Sequence, residues 1–340
     1  MAALLFASPI LADLAASAAE TPSPPPAPNA RQTIVRSAKL LTIGNSFADN
    51  ATAYLPGIAK AEGKELTIFR ANLDGTSMQD HVAHLKAFEA NPNDPKGSPY
   101  LSLPDPVTGK RRYISLHDVL ESDRWTYVTI QQVSSMSYRR ETYEPAAGVL
   151  IAYIHKHAPQ AEILVHQTWA YRGDGNVFAD GKLTPEAMYQ QLRSAYNELA
   201  EDYDLRIIPC GDAFYSARKT LRWTFKFPDP NFDYQHPEPG QLPDQTGSLY
   251  NGWMWTRDGG KPRLRLDARH ANPAGRYLGA AVFYEILYKQ PPSRAFCPSI
   301  LQPEDTETLR AVAHASVLAS KRKAPSQLTG TAEKPRKSPE

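Results

Sequence analysis

The stretch Leu40-Leu41-Thr42-Ile43-Gly44-Asn45-Ser46-Phe47 decides how this chain is read. Its first four residues are apolar or β-branched, a run that suits a short strand buried on both faces. Gly44 permits a tight turn, and a helix is expected just beyond Phe47. A serine at that junction is well placed as a nucleophile. Its hydroxyl projects past the strand end, and its own backbone N–H points where an oxyanion would form. Serine is also an ordinary helix N-cap, so the tetrapeptide 44–47 alone does not decide the chemistry.

Outward from this point, short apolar runs alternate with amphipathic segments. Strands are expected at 38–43, 65–70, 127–131, 162–166 and 205–208, and helices at 51–62, 78–90, 146–157, 185–203 and 273–288. Pro185 and Pro273 suit a first helical turn, where the missing N–H costs nothing. Strand and helix in alternation predict an α/β protein with a parallel sheet covered on both sides. The expected form is a flavodoxin-like three-layer α/β/α sandwich, its five strands in the order 2-1-3-4-5. Two stretches break the rhythm. Residues 91–118, with Pro106-Val107-Thr108-Gly109 at their centre, predict a β-hairpin insertion. Residues 222–265 read as a long loop or lid. Within it, Trp253 and Trp255 either stack on a sugar ring or anchor the loop to the body.

The 340 residues hold 38 Lys and Arg against 36 Asp and Glu, a net charge of +2, so no global field would draw the protein onto nucleic acid. Two cysteines, Cys210 and Cys297, exclude a disulfide-stapled scaffold and a Cys-rich zinc module, and leave open whether they pair. Residues 1–19 form an apolar, alanine-rich run ending in small residues, the pattern of a signal peptide without its basic n-region. A proline-rich linker at 20–36 and a basic tail at 321–340 flank a single domain at 37–320. The expected location is therefore secreted or periplasmic, without a membrane anchor. No glycine-rich phosphate cradle occurs, and the histidines lack paired ligand spacing, so neither a cofactor nor a metal is expected.

Ligands of a doubly wound sheet bind beyond the carboxyl ends of its strands. Near the end of the domain stands Asp267-Ala268-Arg269-His270, followed by Asn272-Pro273. An Asp three residues before a His can hold one ring nitrogen and leave the other free to act as base for a serine hydroxyl. With Ser46 at the first strand and this pair near the end, the chain resembles the SGNH/GDSL hydrolase superfamily. The matching blocks are 40–47, Leu73-Asp74-Gly75-Thr76-Ser77, Val128-Thr129-Ile130-Gln131-Gln132 and 267–270. The phrases 44–47, 130–132 and His166-Gln167-Thr168-Trp169-Ala170-Tyr171 look like one bacterial branch of it, catalogued mainly as a domain of unknown function. The resemblance implies a serine esterase acting on a small-molecule or glycan ester. Ser46, His270 and Asp267 would be its catalytic residues, and the Ser46 and Gly75 amides would line the oxyanion hole. The usual asparagine of the third block is missing. Gln132 is expected to replace it, with Gln131 as the alternative. Asn45, His81, Gln167, Trp169, Tyr171, Trp253 and Trp255 are candidate substrate contacts. The rival readings are a lipase or thioesterase, and a non-catalytic carbohydrate-binding protein on the same fold.

Overall fold

The computed structural model describes residues 35–321. The signal segment, almost all of the linker and the tail lie outside the described residues. In chain order the strands are β1 (Ser37–Gly44), β2 (Glu65–Asn72), β3 (Tyr100–Leu101), β4 (Tyr113–Ile114), β5 (Tyr127–Ile130), β6 (Glu162–His166), β7 (Arg206–Ile208), β8 (Tyr250–Asp258) and β9 (Lys261–Ala271). The helices are α1 (Ser46–Thr52), α2 (Leu55–Ala61), α3 (Met78–Ala90), α4 (Leu116–Glu121), α5 (Ala146–His157), α6 (Pro185–Asp202), α7 (Cys210–Ala217), α8 (Pro273–Tyr288) and α9 (Pro303–Lys321).

The central sheet runs β2-β1-β5-β6-β7 with every pairing parallel, the expected strand order. Alternation along β1 sends Leu40 into one core, with α1, α2, α7, α8 and α9, and Leu41 and Ile43 into the other, with α3, α4 and α5. Both faces of the inner strands are therefore dry, which is why 40–43, 127–130 and 163–165 read as short apolar or β-branched runs. Local chemistry sets the helix starts. Ser77 and Ser115 each form a reciprocal capping box, with Asp80 and Asp118. Thr184 and Asn272 cap helices whose first residue is proline. The one helix expected at 51–62 is two, α1 and α2, because Pro56 cannot donate back into the first.

The insertion at 91–118 contains the expected antiparallel pair, β3 with β4. The second interruption differs from expectation. Its distal part is not a lid but a long antiparallel hairpin, β8 with β9. The turn is Gly259-Gly260, both at positive φ (54° and 83°), as a two-residue hairpin loop requires. Both cysteines are free, Cys210 buried and Cys297 exposed. No described helix is long and apolar enough to cross a membrane.

Candidate active site

The β1–α1 junction presents Ser46 at the carboxyl edge of the sheet. Asn45, not Ser46, is the N-cap of α1, since its Oδ1 accepts from the Phe47 N–H at 3.1 Å. The Ser46 hydroxyl is thus released from capping. It lies 2.8 Å from His270 Nε2. On the far side of the ring, His270 Nδ1 is 3.0 and 3.1 Å from the two oxygens of Asp267. A carboxylate only accepts, so Nδ1 carries the proton and Nε2 presents its lone pair to the serine O–H.

Asp267 and His270 both sit at the end of β9, where a regular strand would point residues three apart to opposite faces. A bulge prevents this. Two steps along β8, from Tyr250 to Gly252, face four along β9, from Ala271 back to Asp267. The extra residues curl round the aspartate, whose Oδ1 accepts the backbone N–H of Arg269 at 3.2 Å and of His270 at 3.1 Å. Asn251 on β8 donates to the other oxygen at 3.0 Å. Burial raises the Asp267 pKa, but the hydrogen bonds from His270 and Asn251 outweigh it and hold the carboxyl well below the usual range. It therefore stays ionised at neutral pH. Asn251 has no signal in the sequence, because only the hairpin register brings it to Asp267. Replacing it with alanine should lower kcat about tenfold with little change in KM, the scale of one hydrogen bond to a charged group. Steady-state kinetics on a soluble ester tests this, and unchanged kcat would mean that Asp267 is held well enough without it.

The elements that carry Ser46 and His270 are tied together below the surface. The Trp169 indole stacks on Phe47 (centroids 4.5 Å) and on Phe214 (4.3 Å), and its N–H donates to the Arg269 carbonyl at 2.9 Å. The Ala271 N–H donates to Asn50 of α1 at 2.7 Å. Gly75 occupies a turn closed by Thr76 N–H on the Leu73 carbonyl, at a φ of +66° that favours glycine. The Leu73 N–H and the Asn45 side chain, which reach the Gly44 and Thr76 carbonyls, lace this turn to the β1–α1 junction.

Several expected substrate contacts prove to be scaffold. His81 is buried under the junction. Its Nε2 donates to the Gly44 carbonyl at 2.9 Å, and its Nδ1 accepts from the Tyr100 hydroxyl at 2.7 Å. Asn45 is buried and its side chain is engaged as described. Gln167 is buried and spans to α7, exchanging bonds with the Asp212 side chain and backbone. Trp169 is a core residue. Tyr171 is buried with its hydroxyl on Ser134 at 2.9 Å. Trp253 and Trp255 are half-buried, and their indole N–H groups fasten the hairpin to Asp174 and to the Gln241 carbonyl. Among the described residues, no hydrogen bond or ring pair joins either indole to Ser46 or His270.

The third oxyanion donor also needs correction. Gln132 is fully buried and its amide is spent. Its oxygen accepts the Met78 and Val133 N–H groups, and its nitrogen donates to the Thr142 carbonyl and Gln79. It staples α3 to the segment after β5 and does not face the crevice. Gln131 is buried too, linking Asn45 to His166. Strand alternation separates the two glutamines as expected, yet both point into packed protein. Gln132→Ala should therefore destabilise the fold by roughly 2–4 kcal/mol, since it leaves the buried Met78 and Val133 N–H groups unpaired. The kcat of the folded protein should stay within about threefold. Denaturant unfolding beside kinetics decides this. Intact stability with a hundredfold lower kcat would restore the amide to the oxyanion hole.

Residues 39–226 match the model of a family described as a domain of unknown function (DUF4886). That span includes Ser46 and Gly75 and ends before the β8–β9 hairpin. None of the curated proteins matches the chain at a significant level. Among solved structures, a DUF4886 family protein from Bacteroides uniformis superposes with a TM-score of 0.62 at 23% identity, over 83% of this chain and 95% of that one. A protein from Slackia heliotrinireducens, provisionally described as an SGNH hydrolase, gives 0.43 at 17% identity, over 73% and 98%. An acetylxylan esterase from Geobacillus stearothermophilus gives 0.35 at 16% identity, over 55% and 84%.

Proposed function

The chain belongs to the DUF4886 family, and we propose that it is a serine esterase of the SGNH type that removes short acyl groups, acetyl above all, from a carbohydrate. One observation carries this reading: the hydroxyl, imidazole and carboxylate of Ser46, His270 and Asp267 stand in series, with bonds of 2.8 and 3.0 Å. In the reaction, Ser46 Oγ attacks the ester carbonyl while His270 Nε2 takes its proton. The oxyanion is held by the Ser46 and Gly75 amides, neither of which has an acceptor among the described residues. His270 then returns the proton to the leaving alcohol, and the acyl-enzyme forms. Water, deprotonated by the same imidazole, releases the acid. Asp267 keeps its charge throughout and stabilises the imidazolium.

Exposure of the pair favours a bulky acceptor. The His270 side chain is 32% exposed, so a large alcohol can approach without threading a channel. Two cavities, one bounded by Arg172, Arg218 and Phe225 and the other by Arg222, Trp223 and Ile300, lie away from Ser46 and His270. The signal-like segment at 1–19 fits an exported enzyme that meets extracellular glycans. A panel of p-nitrophenyl esters from acetate to palmitate, beside acetylated xylan, tests the reading. Activity should be greatest on acetate, fall steeply with chain length and release acetate from the glycan. A preference for palmitate would reverse the substrate assignment, and no turnover on any ester would favour a binding protein.

A further inference from the structure

We propose that His117, Glu121 and His157 form a zinc(II) site at the end of the sheet opposite Ser46. His117 and Glu121 lie four residues apart on α4 and so share one face. His157 is the last residue of α5. Both helix ends precede the starts of sheet strands, β5 and β6, whereas Ser46 stands beyond a strand's end. The site is therefore independent of the esterase reading.

The donors already meet at one oxygen. His117 Nε2 is 3.3 Å and His157 Nδ1 is 2.9 Å from Glu121 Oε1, and one donor atom from each of the three residues lies within 4.8 Å of the others. Tetrahedral zinc with bonds of about 2.0–2.1 Å requires neighbouring donors roughly 3.3 Å apart, so a small adjustment closes the site. Two imidazoles and one carboxylate suit zinc, whereas magnesium and calcium favour all-oxygen sets. The rings are held in place beforehand. Phe88 stacks on His117 at 5.3 Å, Tyr153 packs on His157 at 4.4 Å, and the imidazoles meet edge to face at 4.7 Å. Little side-chain entropy remains to be lost on binding.

An ion pair alone accounts poorly for this arrangement. It would gather two imidazoles around one half-exposed carboxylate, where a single exposed pair contributes little. With zinc bound, each ring coordinates through the nitrogen facing Glu121 and keeps its proton on the other. For His117 that second nitrogen stands 3.9 Å from Asp118 Oδ1, so a small shift would make this carboxylate its outer acceptor. Glu121 reaches solvent, which leaves a fourth position for water. Zinc here would clamp the end of α4 to the end of α5, a structural role.

The test uses untagged Ser46→Ala protein of full length, to keep ester turnover out of the measurement. Zinc titrated by calorimetry should bind one per chain, and a hundredfold excess over Kd should raise Tm by about 4 °C. Cobalt(II) should give the intense visible absorption of a tetrahedral site. Magnesium should do neither. His117→Ala should lose all three zinc and cobalt responses. Glu121→Gln, which changes only an exposed group and so preserves the fold, should weaken zinc binding at least tenfold. No binding in the parent protein, or responses that persist in both variants, would overturn the proposal.

Discussion

Replacing Ser46 with alanine should lower kcat for ester hydrolysis by about ten-thousand- to million-fold, the usual cost of deleting a triad nucleophile. Folding stability should change by no more than about 0.5 kcal/mol. The two halves of this expectation rest on different observations. The chemical half rests on the 2.8 Å contact between Ser46 Oγ and His270 Nε2. The stability half rests on Asn45, which caps α1 with its own side chain, so that removing the serine hydroxyl uncaps nothing. Kinetics and urea unfolding on one preparation check both. A variant that hydrolyses esters at near-normal rates would remove Ser46 from the mechanism. A variant that unfolds would show the hydroxyl to be structural.

The second large effect concerns acid. His81 and His166 are fully buried, and burial lowers their pKa values to about 4 and about 3. The hydrogen-bond pattern explains why neither accepts a second proton. At His81 both nitrogens are used, one donating to Gly44 and the other accepting from Tyr100. At His166 the assignment begins from a backbone group. The Phe47 N–H makes Asn45 Oδ1 an acceptor, so Gln131 must present its NH2 to Asn45 and its oxygen to His166 Nδ1–H. His166 Nε2 is then a bare lone pair, buried beside Phe283 with no partner. Added protons would have no acceptor.

Both groups bind protons more readily in the unfolded chain, where a free imidazole titrates near about 6.5. Stability therefore rises with pH between the folded and unfolded values and falls as pH drops below the unfolded one. At pH 5 each histidine should reduce stability by about 2 kcal/mol relative to pH 7, roughly 4 kcal/mol together. Carboxylates add little in this window, since most titrate lower. Urea unfolding at pH 5, 6 and 7 measures the slope, and His166→Asn should flatten it by about half. Equal midpoints at pH 5 and pH 7 would mean that these imidazoles are protonated in the folded protein.

Much of the frame was legible because it follows from local chemistry. The apolar run 40–43 ends at Gly44, serine and asparagine caps precede α3 and α8, and Pro185 and Pro273 open their helices. These signals need no knowledge of the tertiary fold. What escaped depends on partners distant in sequence. The spacing of Asp267 and His270 suggested a pair on one turn, whereas a bulge in β9 brings them together. The Gly259-Gly260 hairpin signal was present, but the prolines and aromatics around it read as loop. The glutamines misled for a different reason. Block order placed Gln132 near the oxyanion, yet whether an amide is free depends on what packs around it, here the start of α3 and Thr142. Trp169 and Gln167 followed a strand at the ligand-binding edge and so read as contacts. Burial alone reassigns them to the support beneath the site.

The central claim is that Ser46 is a nucleophile activated by His270 and Asp267. A fluorophosphonate probe reads this directly, because it phosphonylates only an activated serine. Intact-mass and peptide analysis should find one adduct per chain, on Ser46. Labelling should be absent in Ser46→Ala and slowed at least a thousandfold in His270→Ala. An unlabelled chain, or an adduct on any other residue, would contradict it.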